Sequence, residues 1–81
     1  MMTKAQIIIL LKQEISKENG LPLSEIEDSA TFYSLGLDSI NAVFVLDKLE
    51  KHLKVEMNPL FFWDYPTVEL LAEHISSIQV K

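Results

Sequence analysis

Residues 35–53 read LGLDSINAVFVLDKLEKHL, a short turn that leads into the longest uninterrupted helical pattern of the chain. Ser39 can serve as the N-cap or as a first-turn residue, because its hydroxyl can accept a hydrogen bond from an unpaired backbone N–H. Gly36 tolerates backbone angles that other residues avoid, which suits a sharp turn into a helix. A negative group on Ser39 would also lie in the favourable field of the helix N-terminus. From the spacing alone, a helix cap is the favoured role of this serine.

The pattern after Ser39 predicts a helix over residues 39–53 with two different faces. At about 100° per residue, one stripe holds the residues expected in the core, which are Ala42, Val45, Leu46, Leu49 and Leu53. The opposite face holds three more apolar residues beside Ser39, namely Ile40, Val43 and Phe44. An exposed apolar cluster that includes an aromatic ring often marks a contact surface, so these three are predicted to bind partner proteins. Burial under a neighbouring loop is the alternative.

Three further segments complete an all-α prediction. Thr3 and Thr67 are suitable N-caps, Asn19-Gly20 is a suitable helix stop, and Asn58-Pro59 fits an N-cap followed by proline at the first helical position. Helices are predicted over residues 3–19, 39–53, 59–64 and 67–78. The connection over residues 20–38 is long but has apolar residues that can anchor it. The predicted fold is a four-helix bundle, a single domain over residues 1–81, with a long first loop and a short third helix.

The composition excludes several classes of protein. The 81 residues, 48% of them hydrophobic, with two glycines and three prolines, fit one compact helical domain with a modest core. Because the chain has no cysteine, any thiol chemistry must come from an attached group. The net charge of −5 argues against a general nucleic-acid-binding surface. The early apolar run at residues 7–11 is too short to span a membrane and no cleavage site follows it, so a cytoplasmic location is predicted.

The acidic residues are unevenly distributed. Between residues 13 and 38, Lys17 is the only basic residue opposite Glu14, Glu18, Glu25, Glu27, Asp28 and Asp38. This excess lies just upstream of Ser39, where it could steer a basic partner at low ionic strength. A solvated loop that aids solubility is an equally good interpretation.

The sequence offers no catalytic or metal-binding set. His52 and His74 lie far apart without a ligand motif, so no metal site is predicted. Asp38 beside Ser39 is not a base–nucleophile pair, because such a pair needs a histidine within hydrogen-bond reach. No catalytic residue is therefore predicted, and a minimal serine hydrolase is an unsupported alternative.

Two segments resemble one known family. Residues 32–40, FYSLGLDSI, closely resemble the phosphopantetheine attachment motif of acyl and peptidyl carrier proteins, and residues 62–72, FWDYPTVELLA, resemble the start of that family's last helix. The details are most similar to polyketide-synthase acyl carrier proteins. Peptidyl carriers usually have a second glycine where Leu37 stands. Fatty-acid-synthase carriers have a strongly acidic helix, whereas the helix after Ser39 has only Asp47 and Glu50 as acids.

The resemblance implies a function and a set of partners. It implies that Ser39 carries a 4′-phosphopantetheine arm whose thiol holds acyl or polyketide intermediates as thioesters, and that Asp38 is recognised by the phosphopantetheinyl transferase. The implied partners are this transferase, a ketosynthase, an acyltransferase and other synthase enzymes; the carrier is expected to be a monomer and no enzyme itself. A peptidyl carrier of a nonribosomal peptide synthetase and a helical interaction module without prosthetic group remain as alternatives. The chain ends indicate a stand-alone carrier, although a domain of a larger synthase would look similar.

Overall fold

The computed structural model describes residues 2–79 and contains the four predicted helices. Helix α1 spans Lys4–Asn19, α2 spans Ser39–Leu53, α3 spans Phe61–Asp64 and α4 spans Val68–Ile78. A single 3₁₀ turn at Leu23–Glu25 interrupts the long first loop. The all-α prediction is confirmed. Met1, Val80 and Lys81 lie outside the described residues, so the extension of one domain over residues 1–81 stays a prediction.

The predicted caps of α1 and α4 are confirmed. The Thr3 hydroxyl accepts a hydrogen bond from the Gln6 N–H at 3.1 Å, and the Gln6 side chain accepts one from the Thr3 N–H at 2.8 Å. This reciprocal arrangement satisfies two backbone donors that a helix start leaves unpaired. Gly20 ends α1 in the left-handed region with φ of +75°. The Thr67 hydroxyl accepts from the Leu70 N–H at 3.1 Å and starts α4.

The predicted start of the third helix is wrong by two residues. We expected Asn58 to be its cap and Pro59 its first residue, but α3 begins at Phe61. The Asn58 side-chain oxygen accepts from the Leu60 N–H at 2.9 Å, and its backbone carbonyl accepts from the Phe61 N–H at 2.9 Å. Asparagine therefore forms a local turn through its own side chain, which competes with helix formation at this point.

Helices α1, α2 and α4 enclose the core. Four residues of the predicted stripe of α2 are buried, namely Ala42, Val45, Leu46 and Leu49. The fifth, Leu53 at the helix end, is half-buried. The same core contains fully buried residues of α1 and α4, which are Ile7, Leu11, Ile15, Val68, Leu71, Ala72 and Ile75. The first loop adds Ile26, Phe32, Leu35 and Leu37 to the same cluster. The loop is thus part of the core, as its apolar residues predict.

Backbone hydrogen bonds fasten the first loop to the start of α4. The carbonyls of Ala30 and Asp28 accept from the N–H groups of Val68 and Glu69 at 3.2 and 2.8 Å. The Phe32 N–H donates to the Pro66 carbonyl at 3.1 Å. Because the loop pairs N–H groups that the helix start would otherwise leave unsatisfied, it has a fixed position over the bundle. That position determines where the chain turns into α2.

Candidate functional site

Asp38, and not Ser39, caps helix α2. Asp38 has an extended backbone, and its Oδ1 accepts a hydrogen bond from the Asn41 N–H at 2.8 Å. Ser39 is the first helical residue. The prediction that Ser39 is the N-cap is therefore wrong. Ser39 lies in the first turn of the helix, which was the second role that the sequence allowed. An anionic carboxylate suits the cap position because it also interacts favourably with the helix dipole. Ser39 is exposed, and the helix start is capped without its hydroxyl.

A tight turn brings Ser39 to the surface. Gly36 adopts φ of +76°, in the left-handed region that favours glycine. The Gly36 N–H donates to the Tyr33 carbonyl at 3.0 Å, and the Leu37 N–H donates to the Phe32 carbonyl at 3.1 Å. Leu35 and Leu37 on either side of Gly36 are buried and fasten the turn to the core. Asp38 and Ser39, which follow Leu37 in the chain, are therefore held at the surface.

An apolar groove of about 440 Å³ opens beside Ser39. Its walls come from the first loop, the start of α2 and the segment around α3, and they include Tyr33, Val43, Phe62 and Trp63. Tyr33 and Trp63 are among the most exposed hydrophobic residues of the protein. Such a surface can hold a flexible apolar group attached at Ser39.

Aromatic contacts fix the α3 wall of this groove. Phe62 packs edge-to-face on Phe32, with ring centroids 4.5 Å apart. Tyr65 stacks on His74 of α4 at 4.0 Å, and Phe61 packs edge-to-face on the same histidine at 4.7 Å. Phe61, Phe62 and Tyr65 are half-buried and pack against the core, whereas Trp63 is exposed.

The outer face of α2 is exposed as predicted. Ile40, Val43 and Phe44 keep 64%, 46% and 52% of their surface accessible. Burial under a neighbouring loop, the alternative considered for these residues, is therefore excluded. Val43 also lines the groove, so this face and the groove are continuous around the first turns of α2.

Sequence reasoning missed a buried charge cluster between α1 and α2. Glu14 is only 2% exposed, and its Oε1 lies 3.3 Å from the Lys17 Nζ and 3.6 Å from the His52 Nε2. Its Oε2 lies 3.8 Å from the Lys48 Nζ, too far for a hydrogen bond. A signal was present, because Glu14 follows Ile7 and Leu11 at the helical spacing of the apolar stripe. Among residues 2–79, no three histidine, aspartate or glutamate side chains form a metal-binding group.

Comparison with known proteins gives relatives over most of the chain. The family model described as "Phosphopantetheine attachment site" matches residues 10–75. The non-reducing polyketide synthase VdtA of Byssochlamys spectabilis is 33% identical over 67 residues, or 83% of this chain. The non-reducing polyketide synthase ntnG of Nectria sp is 35% identical over 72 residues, or 89% of this chain. The chain spans 3% and 4% of the length of these two synthases.

Within residues 2–79, no helix is long and apolar enough to cross a membrane.

Solved carrier proteins have the same fold. A free-standing peptidyl carrier protein from a secondary metabolic pathway of Acinetobacter baumannii is 38% identical, with a TM-score of 0.86 over 91% of this chain and 92% of that one. The HMG-ACPI domain of the CurA module from Lyngbya majuscula is 28% identical, with a TM-score of 0.86 over 95% of this chain and 78% of that one. The family model, the relatives and the fold agree with the motif around Ser39. The chain belongs to the phosphopantetheine attachment-site family of carrier proteins.

Proposed function

We propose that the chain is an acyl carrier of polyketide-synthase type, with 4′-phosphopantetheine attached to Ser39. The observation that carries the proposal is an exposed Ser39 at the first position of α2, next to an Asp38 that already caps the helix. When attached, the arm supplies a thiol on which acyl groups are held as thioesters. The chain has no cysteine of its own for this purpose.

The residues around Ser39 fit the group. The phosphate of the arm would lie at the start of a helix of 15 residues, where the dipole favours negative charge. The apolar groove offers a surface to the arm or to its cargo. Asp38 uses one carboxylate oxygen as the cap and is exposed, so its second oxygen can take part in recognition by the transferase.

Attachment is a phosphoryl-transfer step catalysed by a phosphopantetheinyl transferase. The Ser39 Oγ forms a bond to the phosphorus on the pantetheine side of coenzyme A, and the P–O bond of the pyrophosphate breaks. Adenosine 3′,5′-bisphosphate leaves, and a base of the transferase takes the hydroxyl proton. The carrier contributes an accessible nucleophile and a docking surface, for which we propose Ile40, Val43 and Phe44. The same surface would meet a ketosynthase, an acyltransferase and other synthase enzymes.

A peptidyl carrier is the second candidate. It is favoured by the 38% identity to the free-standing peptidyl carrier of Acinetobacter baumannii. Both candidates use Ser39 in the same way and differ in the group that the thiol receives. Incubation of the loaded carrier with an acyltransferase and malonyl-coenzyme A, or with an adenylation domain, amino acids and ATP, separates them by the mass that is added. Acylation only by the second set would replace the polyketide assignment.

Intact-mass measurement after incubation with coenzyme A and a phosphopantetheinyl transferase tests the attachment. The wild-type chain should gain the mass of one phosphopantetheine, and Ser39→Ala should gain none. Ser34→Ala is the matched control, because Ser34 lies in the loop and donates to the Thr31 carbonyl at 2.8 Å; it should be modified like the wild type. A peptide carrying the arm at Ser34, Ser29 or Thr31 would overturn the assignment of the site. Absence of modification under conditions that load a known carrier would favour the interaction module.

A further inference from the structure

Helix α3 has few means of its own to keep its position. It has only four residues, Phe61–Asp64, and each of them is half-buried or exposed. Its cap residue, Leu60, has an apolar side chain that cannot accept a hydrogen bond from the helix start. A helix of this length is not stable by itself in water. The position of α3 therefore depends on the contacts that its side chains make with the rest of the protein.

Aromatic rings hold α3 from two sides. On one side, Phe62 packs edge-to-face on Phe32 of the first loop. On the other side, His74 of α4 contacts two rings that are one helical turn apart in sequence. The Tyr65 ring lies nearly parallel to the imidazole, at an angle of 12°, and the Phe61 ring stands at 82° to it. Stacked and edge-to-face pairs of this kind are attractive beyond the area that they bury. His74 is thus the point at which α4 holds α3.

Helix α4 gives the His74 ring a fixed position. Leu71 and Ile75, which precede and follow His74 in the helix, are 0% exposed and belong to the core. Because a packed core leaves little room for movement, the half-buried imidazole is a firm support for α3. Phe62 and Trp63 of α3 line the groove beside the attachment site. The contacts that place α3 therefore also place this wall of the groove.

We propose that His74 is a positioning residue: its ring fixes α3, which forms the wall against which the acyl group carried on Ser39 packs. This inference rests on the proposed function. Ser39 itself lines the groove, so a group attached there is within reach of the wall. The arm contains amide groups that need hydrogen-bond partners, which apolar walls do not supply, whereas an acyl chain needs none. Contact with Phe62 and Trp63 removes the chain from water, and the thioester beside it becomes less accessible to nucleophiles in solution.

The first test measures the backbone order parameter S² of α3 by nitrogen-relaxation NMR on the unmodified chain. In the wild type, S² should be about 0.85 in α3, as in a rigid backbone. His74→Ala should lower it below about 0.6 in α3, while α1 and α2 keep about 0.85. His74→Phe keeps an aromatic ring at this position and should retain the wild-type values. His52→Ala is the matched control, since the His52 Nε2 lies 3.6 Å from the Glu14 Oε1 between α1 and α2; it should leave S² of α3 unchanged.

The second test measures how fast hydroxylamine cleaves a thioester carried on Ser39. The transferase loads a hexanoyl group from hexanoyl-coenzyme A, and free hexanoyl-pantetheine is the reference. The wild-type carrier should be cleaved about fivefold more slowly than the reference, which corresponds to a chain that occupies the groove about four-fifths of the time. His74→Ala should come within about twofold of the reference, and His74→Phe should match the wild type. An acetyl thioester is the matched control, because one methyl group buries little apolar surface; its rate on the carrier should equal that of acetyl-pantetheine.

The role of His74 would be refuted by S² values in α3 that His74→Ala leaves unchanged, by a His74→Phe variant as mobile as His74→Ala, or by equal hexanoyl cleavage in the wild type and His74→Ala. Tyr65→Leu removes the other ring of the stack and should repeat the effect of His74→Ala; unchanged S² in that variant would refute the role as well. A wild-type chain that gains no mass would overturn the proposed function instead, while the order parameters still test His74 on the unmodified chain. Circular dichroism of each variant verifies that the fold is retained.

Discussion

Truncation of Leu49 tests the orientation of α2, on which both the core and the proposed docking surface depend. Leu49 lies on the inner face of the helix and is 0% exposed. Leu49→Ala removes roughly three carbon groups, which are worth about 2.4 kcal/mol of burial. The cavity left in a packed core adds to this loss, so we expect the free energy of unfolding to fall by about 3–5 kcal/mol. Domains of this size have about 4–12 kcal/mol in total, so the variant should be only marginally stable.

Thermal and urea unfolding followed by circular dichroism measures this loss. For a domain of this length, about 3 kcal/mol corresponds to a drop in Tm of about 12–24 °C. Leu70→Ala is the matched control, the same change at a position of α4 that is 44% exposed. Because alanine also has the higher helix propensity, Leu70→Ala should stay within about 1 kcal/mol of the wild type. Equal losses in the two variants, or a larger loss for Leu70→Ala, would mean that Leu49 is not a core residue and that α2 is rotated.

Two further predictions concern side chains that the structure assigns to specific hydrogen bonds or ion pairs. Asp38→Ala should cost about 1 kcal/mol in urea unfolding because it removes the cap of α2, whereas Asp38→Asn should cost only a few tenths. Ser39→Ala should leave stability nearly unchanged, and a larger cost for Ser39→Ala than for Asp38→Ala would contradict the cap assignment. Glu14→Gln should lower the free energy of unfolding by about 1.5 kcal/mol. This value is at the low end for hydrogen bonds to charged groups, because the side chains of Lys17 and Lys48 reach solvent. The exposed Glu25→Gln is the control, and equal stability of the two would show that the cluster does not stabilise the fold.

The helix boundaries could be predicted because their signals are local. The caps at Thr3 and Thr67 and the stop at Gly20 each involve residues within four positions, and the predicted boundaries of α1, α2 and α4 are right to within one residue. Apolar periodicity then predicted which face of α2 is buried. The start of α3 was missed because Asn58 can cap a helix or form a turn through the same oxygen, and the sequence does not choose between them.

The burial of Glu14 had a local signal, but its contacts with Lys48 and His52 and the pairing of Asp28 with Lys12 could not be predicted, because they depend on which segments meet in the fold. In the sequence, Glu14 and Asp28 belong to an acidic excess upstream of Ser39, and the lysines of α2 form a separate basic group. In the fold, Asp28 pairs with Lys12, and Glu14 is buried among Lys17, Lys48 and His52. Because these two carboxylates have cations beside them, the acidic residues upstream of Ser39 attract a basic partner less strongly than the sequence indicated. Charges far apart along the chain became neighbours through packing, which a linear count does not record.

The division of roles between Asp38 and Ser39 bears directly on how a carrier can be modified without changing shape. If the Ser39 hydroxyl were the cap, attaching a phosphodiester to it would compete with the hydrogen bond that starts α2. The cap belongs to Asp38, whose Oδ1 is bonded to the Asn41 N–H, so the Ser39 oxygen can be modified while that bond stays in place. The added negative charge would lie at the helix N-terminus, where it would stabilise the helix slightly. We therefore expect the unmodified and the loaded carrier to keep the same helix start, with the docking face of α2 in the same orientation for every enzyme that visits it.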